Sequence, residues 1–153
     1  MKNEGELLTR WTRCIELSAK MAEDERVRKG TRYDALRIIP MDPSQAHLNQ
    51  LKKYLSSSVD GELQMGSVSG LSDIELPVVA VWLRESMANL KPTNRRLAIE
   101  ALGRNDDRLA ALLDAMGSGL IKSEEVPAAV MEKLNQTKNP ALRLRQTEAF
   151  KTK

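Results

Sequence analysis

Residues 91–121, KPTNRRLAIEALGRNDDRLAALLDAMGSGLI, limit what this chain can fold into more than any other stretch. Leu97, Ile99, Ala101 and Leu102 precede a polar break at residues 103–107. Leu109, Leu112, Leu113 and Met116 then recur at the three- and four-residue steps of an amphipathic helix. The spacing predicts two short helices with a five-residue polar joint, a helical hairpin. Neither helix can bury its apolar stripe alone, so the hairpin needs neighbours of its own kind.

The same period reads through the rest of the chain. A helix over residues 6–21 carries Leu7, Leu8, Trp11 and Ile15 on one face, extended by Ala19 and Ala22, with Cys14 beside them as a buried, inert thiol. The acidic turn Glu23-Asp24-Glu25 leads into a second helix ending near Ile39. Asp42 as N-cap and Pro43 at the first helical position predict a third helix, through Leu48, Leu51, Tyr54 and Leu55 to the Ser56-Ser57-Ser58 stop. Asp60 opens a short helix through Leu63 and Val68 to Leu71, weakened by Gly66 and Gly70.

Ser72 and Glu75 have capping-box spacing before ELPVVAVWLRESMANL, although Pro77 fits best if that helix starts a few residues after Ser72. Gly117-Ser118-Gly119 suits a left-handed C-terminal cap. Ser123 caps a helix through Val130, Met131 and Leu134, and Asn139-Pro140 starts a last one, ALRLRQTEAFK. That makes about nine helices and no strand, in keeping with only 3% aromatic residues. Short joints make successive helices antiparallel neighbours. The expected core includes Leu71, Trp82, Ile99, Leu102, Leu109, Leu112, Leu113 and Leu134.

A small-then-large apolar pair recurs at Ala35-Leu36, Gly70-Leu71, Ala101-Leu102 and Ala149-Phe150, with spacings of 35, 31 and 48 residues. Such spacing belongs to two-helix solenoid repeats. The fold expected is therefore all-α: a right-handed α-solenoid of antiparallel helix pairs in one domain over residues 1–153. This pattern resembles HEAT-type repeats.

More narrowly, residues 94–121 followed by 123–150 resemble a region of large, exported planctomycete-type proteins described as membrane-bound dehydrogenase-like. The likeness lies in RRLAIEAL, RLAALLDAMGSGLI, the Ser123 helix and the Asn139-Pro140-Ala141-Leu142-Arg143 helix ending in Phe150. It implies a helical scaffold between a propeller-like sugar-dehydrogenase domain and a C-terminal cytochrome c domain. The parent protein would then be periplasmic or cell-surface, and haem c would sit only in the downstream domain.

No constellation in the chain itself carries chemistry, so no catalytic, cofactor-binding or metal-ligating residue is expected. Cys14 lacks the Cys-x-x-Cys-His surroundings of a c-type haem site, and a lone thiol forms no intrachain disulfide or zinc cluster. His47 is the sole histidine and has no ligand spacing to Asp42 or Gln45; it reads as solvent-facing. Gly103-Arg104 and Gly117-Ser118-Gly119 invite a phosphate-loop reading, but neither follows a strand, and both read as helix stops. Asp106 and Asp107 complement a helix dipole, and Asp114 reads as solvated. Asn135-Gln136-Thr137 matches a glycosylation acceptor, a pattern frequent by chance.

Two basic groups, Arg26/Arg28/Lys29/Arg32 on one helix and Arg143/Arg145/Lys151/Lys153 at the end, read as solvated faces. With 24 basic against 21 acidic residues the net charge is +3, weak attraction for a nucleic-acid backbone. The longest apolar run, residues 76–83, is too short to insert in a bilayer, and the start lacks the apolar segment of a signal peptide. The expected role is a non-catalytic scaffold or interaction module with protein partners. The alternative is a free-standing cytoplasmic repeat protein that holds a protein or a nucleic-acid backbone.

Overall fold

The computed structural model describes residues 2–42 and 44–151. Among them the chain is all-helical: nine α-helices, two 3-10 turns and no strand. They are α1 (Lys2–Glu23), α2 (Lys29–Ile38), α3 (Leu48–Lys53), α4 (Gly61–Ser72), α5 (Pro77–Ser86), α6 (Pro92–Leu102), α7 (Asp106–Gly117), α8 (Ala128–Gln136) and α9 (Pro140–Lys151). The 3-10 turns are Ile39–Met41 and Ser123–Glu125. The helices divide between two compact units, Met1–Ile74 and Glu75–Lys153.

In the first unit α2 packs chiefly on α4, and α1 lies against α2. Leu36, Leu51, Val68 and Leu71 are fully enclosed. The contact between α2 and α4 is close because α4 offers no side chain where they cross. A Cβ on Gly70 would stand 2.8 Å from Pro40 Cγ and 3.0 Å from the Leu36 carbonyl oxygen. One on Gly66 would stand 3.0 Å from the Tyr33 ring. Both glycines, read from sequence as weak points in a helix, are what lets it dock.

Buried polar groups in this unit are satisfied by backbone carbonyls. Gln64 Nε2 donates to the Ser56 oxygen at 3.0 Å and Ser67 Oγ to the Leu51 oxygen at 2.6 Å. The C-terminal end of α1 is fastened the same way. Gln50 Nε2 donates to the Ala19 oxygen at 2.7 Å, while Tyr54 Oη at 2.7 Å and Arg32 Nε at 2.8 Å both donate to the Ala22 oxygen.

In the second unit α7 is the centre, in contact with α5, α6 and α9. Leu109, Leu112, Leu113 and Met116 are buried, together with Ile99 and Leu102 of α6 and Leu134 of α8. Asn105, whose Oδ1 accepts from the Arg108 amide at 3.0 Å, caps α7, so the joint shrinks to residues 103–105. Asp106 and Asp107 stand in the first turn, where they complement the dipole as expected. Gly119, at φ 76°, supplies the left-handed residue after α7. The Ile121 amide reaches back to the Ala115 oxygen at 3.1 Å, closing the cap.

Several expectations are corrected. Ser72 is not the cap of α5: it ends α4, its hydroxyl bonded to the Val68 oxygen at 2.7 Å, and α5 starts at Pro77 behind Leu76. Ser123 opens only a 3-10 turn, because Pro127 separates it from α8. Asp42 does not start α3, which begins at Leu48; its carboxylate closes a turn instead, accepting from the Ser44 amide at 2.9 Å and the Ala46 amide at 3.2 Å. The predicted helix start at Pro43 lies outside the described residues. Trp82 is only half-buried, and Phe150 stays 37% exposed where its counterparts Leu36, Leu71 and Leu102 are enclosed. Successive helices α1 and α2 do pack together, as do α6 and α7, but α2 lies at least as much against α4, and α7 mainly against α9.

Two glycines test the docking argument. Gly70→Ala should lower stability by about 1–3 kcal/mol through forced displacement of Pro40 or the α2 backbone. Gly117, whose Cβ would meet Ala149 at an ordinary 3.5 Å, should accept alanine with no loss. Urea unfolding midpoints of the two variants compare them directly.

Candidate interaction surface

The residues that carried a chemical reading are dispersed, and their neighbours give most of them structural work. Cys14 is exposed, not buried. His47 is half-buried at the residue that precedes α3 rather than solvent-facing. Beside it, Asp42 is held below the usual carboxylate range. Desolvation raises its pKa, but the Ser44 hydroxyl, the Ser44 and Ala46 amides and the nearby His47 together outweigh that. Among the described residues no three His, Cys, Asp or Glu side chains gather as a metal site.

The Gly103-Arg104 turn has the wrong polarity for phosphate. It presents carbonyl oxygens, and Lys133 Nζ takes both, at 2.9 Å from Gly103 and 3.1 Å from Arg104. Arg108, buried at 2% exposure, adds a bond of 3.3 Å to the Ala101 oxygen. Two cations thus stand at the negative end of α6. Gly103 itself is required for space: a Cβ there would lie 2.5 Å from Val130 Cγ2.

The basic groups are partly neutralised. Arg26 and Arg28 precede α2 instead of lying on it. Arg26 forks onto Asp24 with two bonds of 2.9 Å, and this hydrogen-bonded guanidinium takes the Asp24 carboxyl down to about 2. Lys29 pairs with Asp60 at 2.8 Å, which raises the Lys29 pKa and lowers that of Asp60. Arg32 is spent on Ala22. Arg145 and Arg84 both address Asp114, so that carboxylate joins α9 and α5 to α7 rather than facing only water. Arg143 bonds the Thr137 oxygen at 2.9 Å, and Lys153 lies outside the described residues. Asn135 accepts from Gln146 at 3.0 Å, so a glycan there would displace a contact between α8 and α9.

The sequence reading missed Arg95. Its guanidinium holds Glu125 with bonds of 2.6 and 3.1 Å, and donates to the Met87 oxygen at 2.8 Å and the Leu120 oxygen at 2.6 Å. Four chain segments of the second unit meet on this one side chain. It also floors a cleft of about 400 Å³ edged by Pro92, Arg96, Glu124 and Pro127. With four of its five N–H groups engaged, Arg95 is a strut rather than an anion receptor. Its long range hid it from sequence reading: Glu125 is thirty residues away.

A different feature is exposed apolar surface in the first unit. Along the first three turns of α1, Leu7 is 68% exposed, Leu8 61% and Trp11 38%, beside exposed Cys14. These turns are held by bonds inside the helix, from Thr9 Oγ1 to the Gly5 oxygen and Thr12 Oγ1 to the Leu8 oxygen. The stripe read as core is core only from Ile15 onward, through Ala19 and Ala22. A contiguous apolar patch of this kind is what protein contacts use. Leu144 of α9, 63% exposed, is a smaller feature in the second unit. Among the described residues no helix is long and apolar enough to cross a membrane.

Compared with models of protein families, with curated proteins and with solved structures, the chain matches none.

The Arg95 strut makes a pH-dependent prediction. Hydrogen bonding from Arg95, opposed by burial and helped by the Lys122 amide, lowers the Glu125 pKa. A depressed carboxylate stabilises above its unfolded pKa and loses that contribution as pH falls through its folded value. Glu125→Gln should therefore be less stable than the wild type at neutral pH, by about 1–2 kcal/mol. The gap should narrow on acidification, as read from urea midpoints across a pH series.

Proposed function

We propose that this chain is a non-catalytic helical-repeat module that works by holding protein surfaces. The observation that carries the reading is the uncovered apolar side of α1, Leu7, Leu8 and Trp11, on a helix fastened at its other end. Packing between alternate helices, α2 on α4, α5 on α7 and α7 on α9, supports a repeat of stacked helix pairs, as in a HEAT-like right-handed solenoid. A nucleic-acid backbone fits the basic groups less well, because Arg26, Lys29 and Arg145 spend their charge on Asp24, Asp60 and Asp114.

The narrower role, a spacer in an exported dehydrogenase-like protein, is a special case of this proposal and rests on the pattern over residues 91–150. A coding frame that runs past Lys153 into Cys-x-x-Cys-His would support it, and a stop codon there would remove it. The broader role is tested by comparing proteins retained by the tagged chain and by a Leu7→Arg/Leu8→Arg variant in its native cell extract. A partner lost with the variant is the expected result. Equal recovery on both would show that this face does not carry the function.

A further inference from the structure

We infer that the exposed half of α1 pairs with the same segment of a second copy of this chain, the two helices running antiparallel. The inference rests on the reading of that face as an interaction surface, and adds the identity of its occupant.

The geometry of the seam comes first. Leu7, Trp11, Cys14, Ser18 and Met21 follow the alternating four- and three-residue steps of a two-helix seam. Ser18 is already enclosed by the first unit, so the seam is free only over its first part, where Leu8 lies alongside. Two copies of that part bring together on the order of 1,000 Å² of surface, the size of a weak and concentration-dependent contact rather than an obligate one.

Charge then selects the occupant and the direction. Glu6 and Arg10 sit one turn apart on the same flank of the seam and are paired within the helix, both well exposed. With a two-fold axis between Leu8 and Thr9, antiparallel copies set Leu7 within one residue step of the other Trp11, and Glu6 within one step of the other Arg10. The single ion pair becomes a ladder of four alternating charges. A parallel arrangement puts the two Glu6–Arg10 flanks on opposite faces of the pair, where they gain no such partner. An anionic membrane surface fits poorly, because Glu4, Glu6 and Glu16 interrupt Arg10 and Arg13 along this helix.

The test is sedimentation equilibrium of the full chain from about 5 to 500 µM, the range in which a contact of this size changes occupancy. The mass should rise from one chain toward two. Leu7→Arg should abolish that rise, and circular dichroism should show unchanged helix, since Leu7 faces solvent. Glu6→Arg and Arg10→Glu should each weaken association several-fold, and Glu6→Arg/Arg10→Glu together should restore it. A wild type that stays monomeric throughout, a dimer indifferent to Leu7→Arg, or a double reversal no better than the single ones overturns the inference. A monomeric chain that still loses a captured protein on Leu7→Arg/Leu8→Arg overturns self-pairing alone and leaves the interaction role standing. Absence of both dimer and face-dependent capture removes both.

Discussion

A helix of about ten residues leaves the last four of its carbonyl oxygens without partners inside the helix, and a fold of short helices has many such ends. In this chain later segments satisfy them with side chains. Gln50, Tyr54 and Arg32 take the end of α1, Arg108 and Lys133 the end of α6, and Arg95 the strands of chain after α5 and α7. Each bond satisfies a carbonyl oxygen at least partly withdrawn from water and also fixes where one helix lies on another. Apolar burial supplies most of the drive toward the compact state. These donors choose among the ways that slippery apolar faces can be stacked.

What the sequence displayed well was period. The three- and four-residue steps of Leu109, Leu112, Leu113 and Met116, the caps at Asp60 and Asn139, and the left-handed Gly119 depend on residues within a turn of each other. Such signals survive reading one residue at a time. Ser72 and Ser123 looked like caps by the same rule, but Pro77 and Pro127 set the real helix starts. The small residues of Gly70-Leu71 and Ala101-Leu102 pointed to close contacts, and at Gly70 the contact is there, against Pro40 and Leu36.

What it hid was reach. Nothing near Gly103 announces that Val130 will fill the space over it, and nothing near Arg95 names Met87, Leu120 and Glu125 together as its partners. Nor does periodicity say how far along a stripe the neighbours extend. Leu7, Leu8 and Trp11 share a face with Ile15, yet only Ile15 is enclosed. His47, Cys14 and Asp106 lie too far apart in the sequence for spacing alone to join them.

The fastening of α1 at one end has a mechanical consequence. Its twenty-two residues span about 33 Å at the rise of an α-helix, and Leu7 stands about 12 Å ahead of Ile15, the first enclosed residue. Whatever binds at Leu7 pulls on the exposed part of that helix, and beyond the packed Ile15 the load reaches the Ala19 and Ala22 carbonyls. From there it passes through Arg32 into α2 and through Gln50 and Tyr54 into the α3 region, so that force on an exposed leucine is borne by two separate parts of the unit at once. A tether loaded in this way resists peeling: no one of those bonds can open first without the others taking up its share.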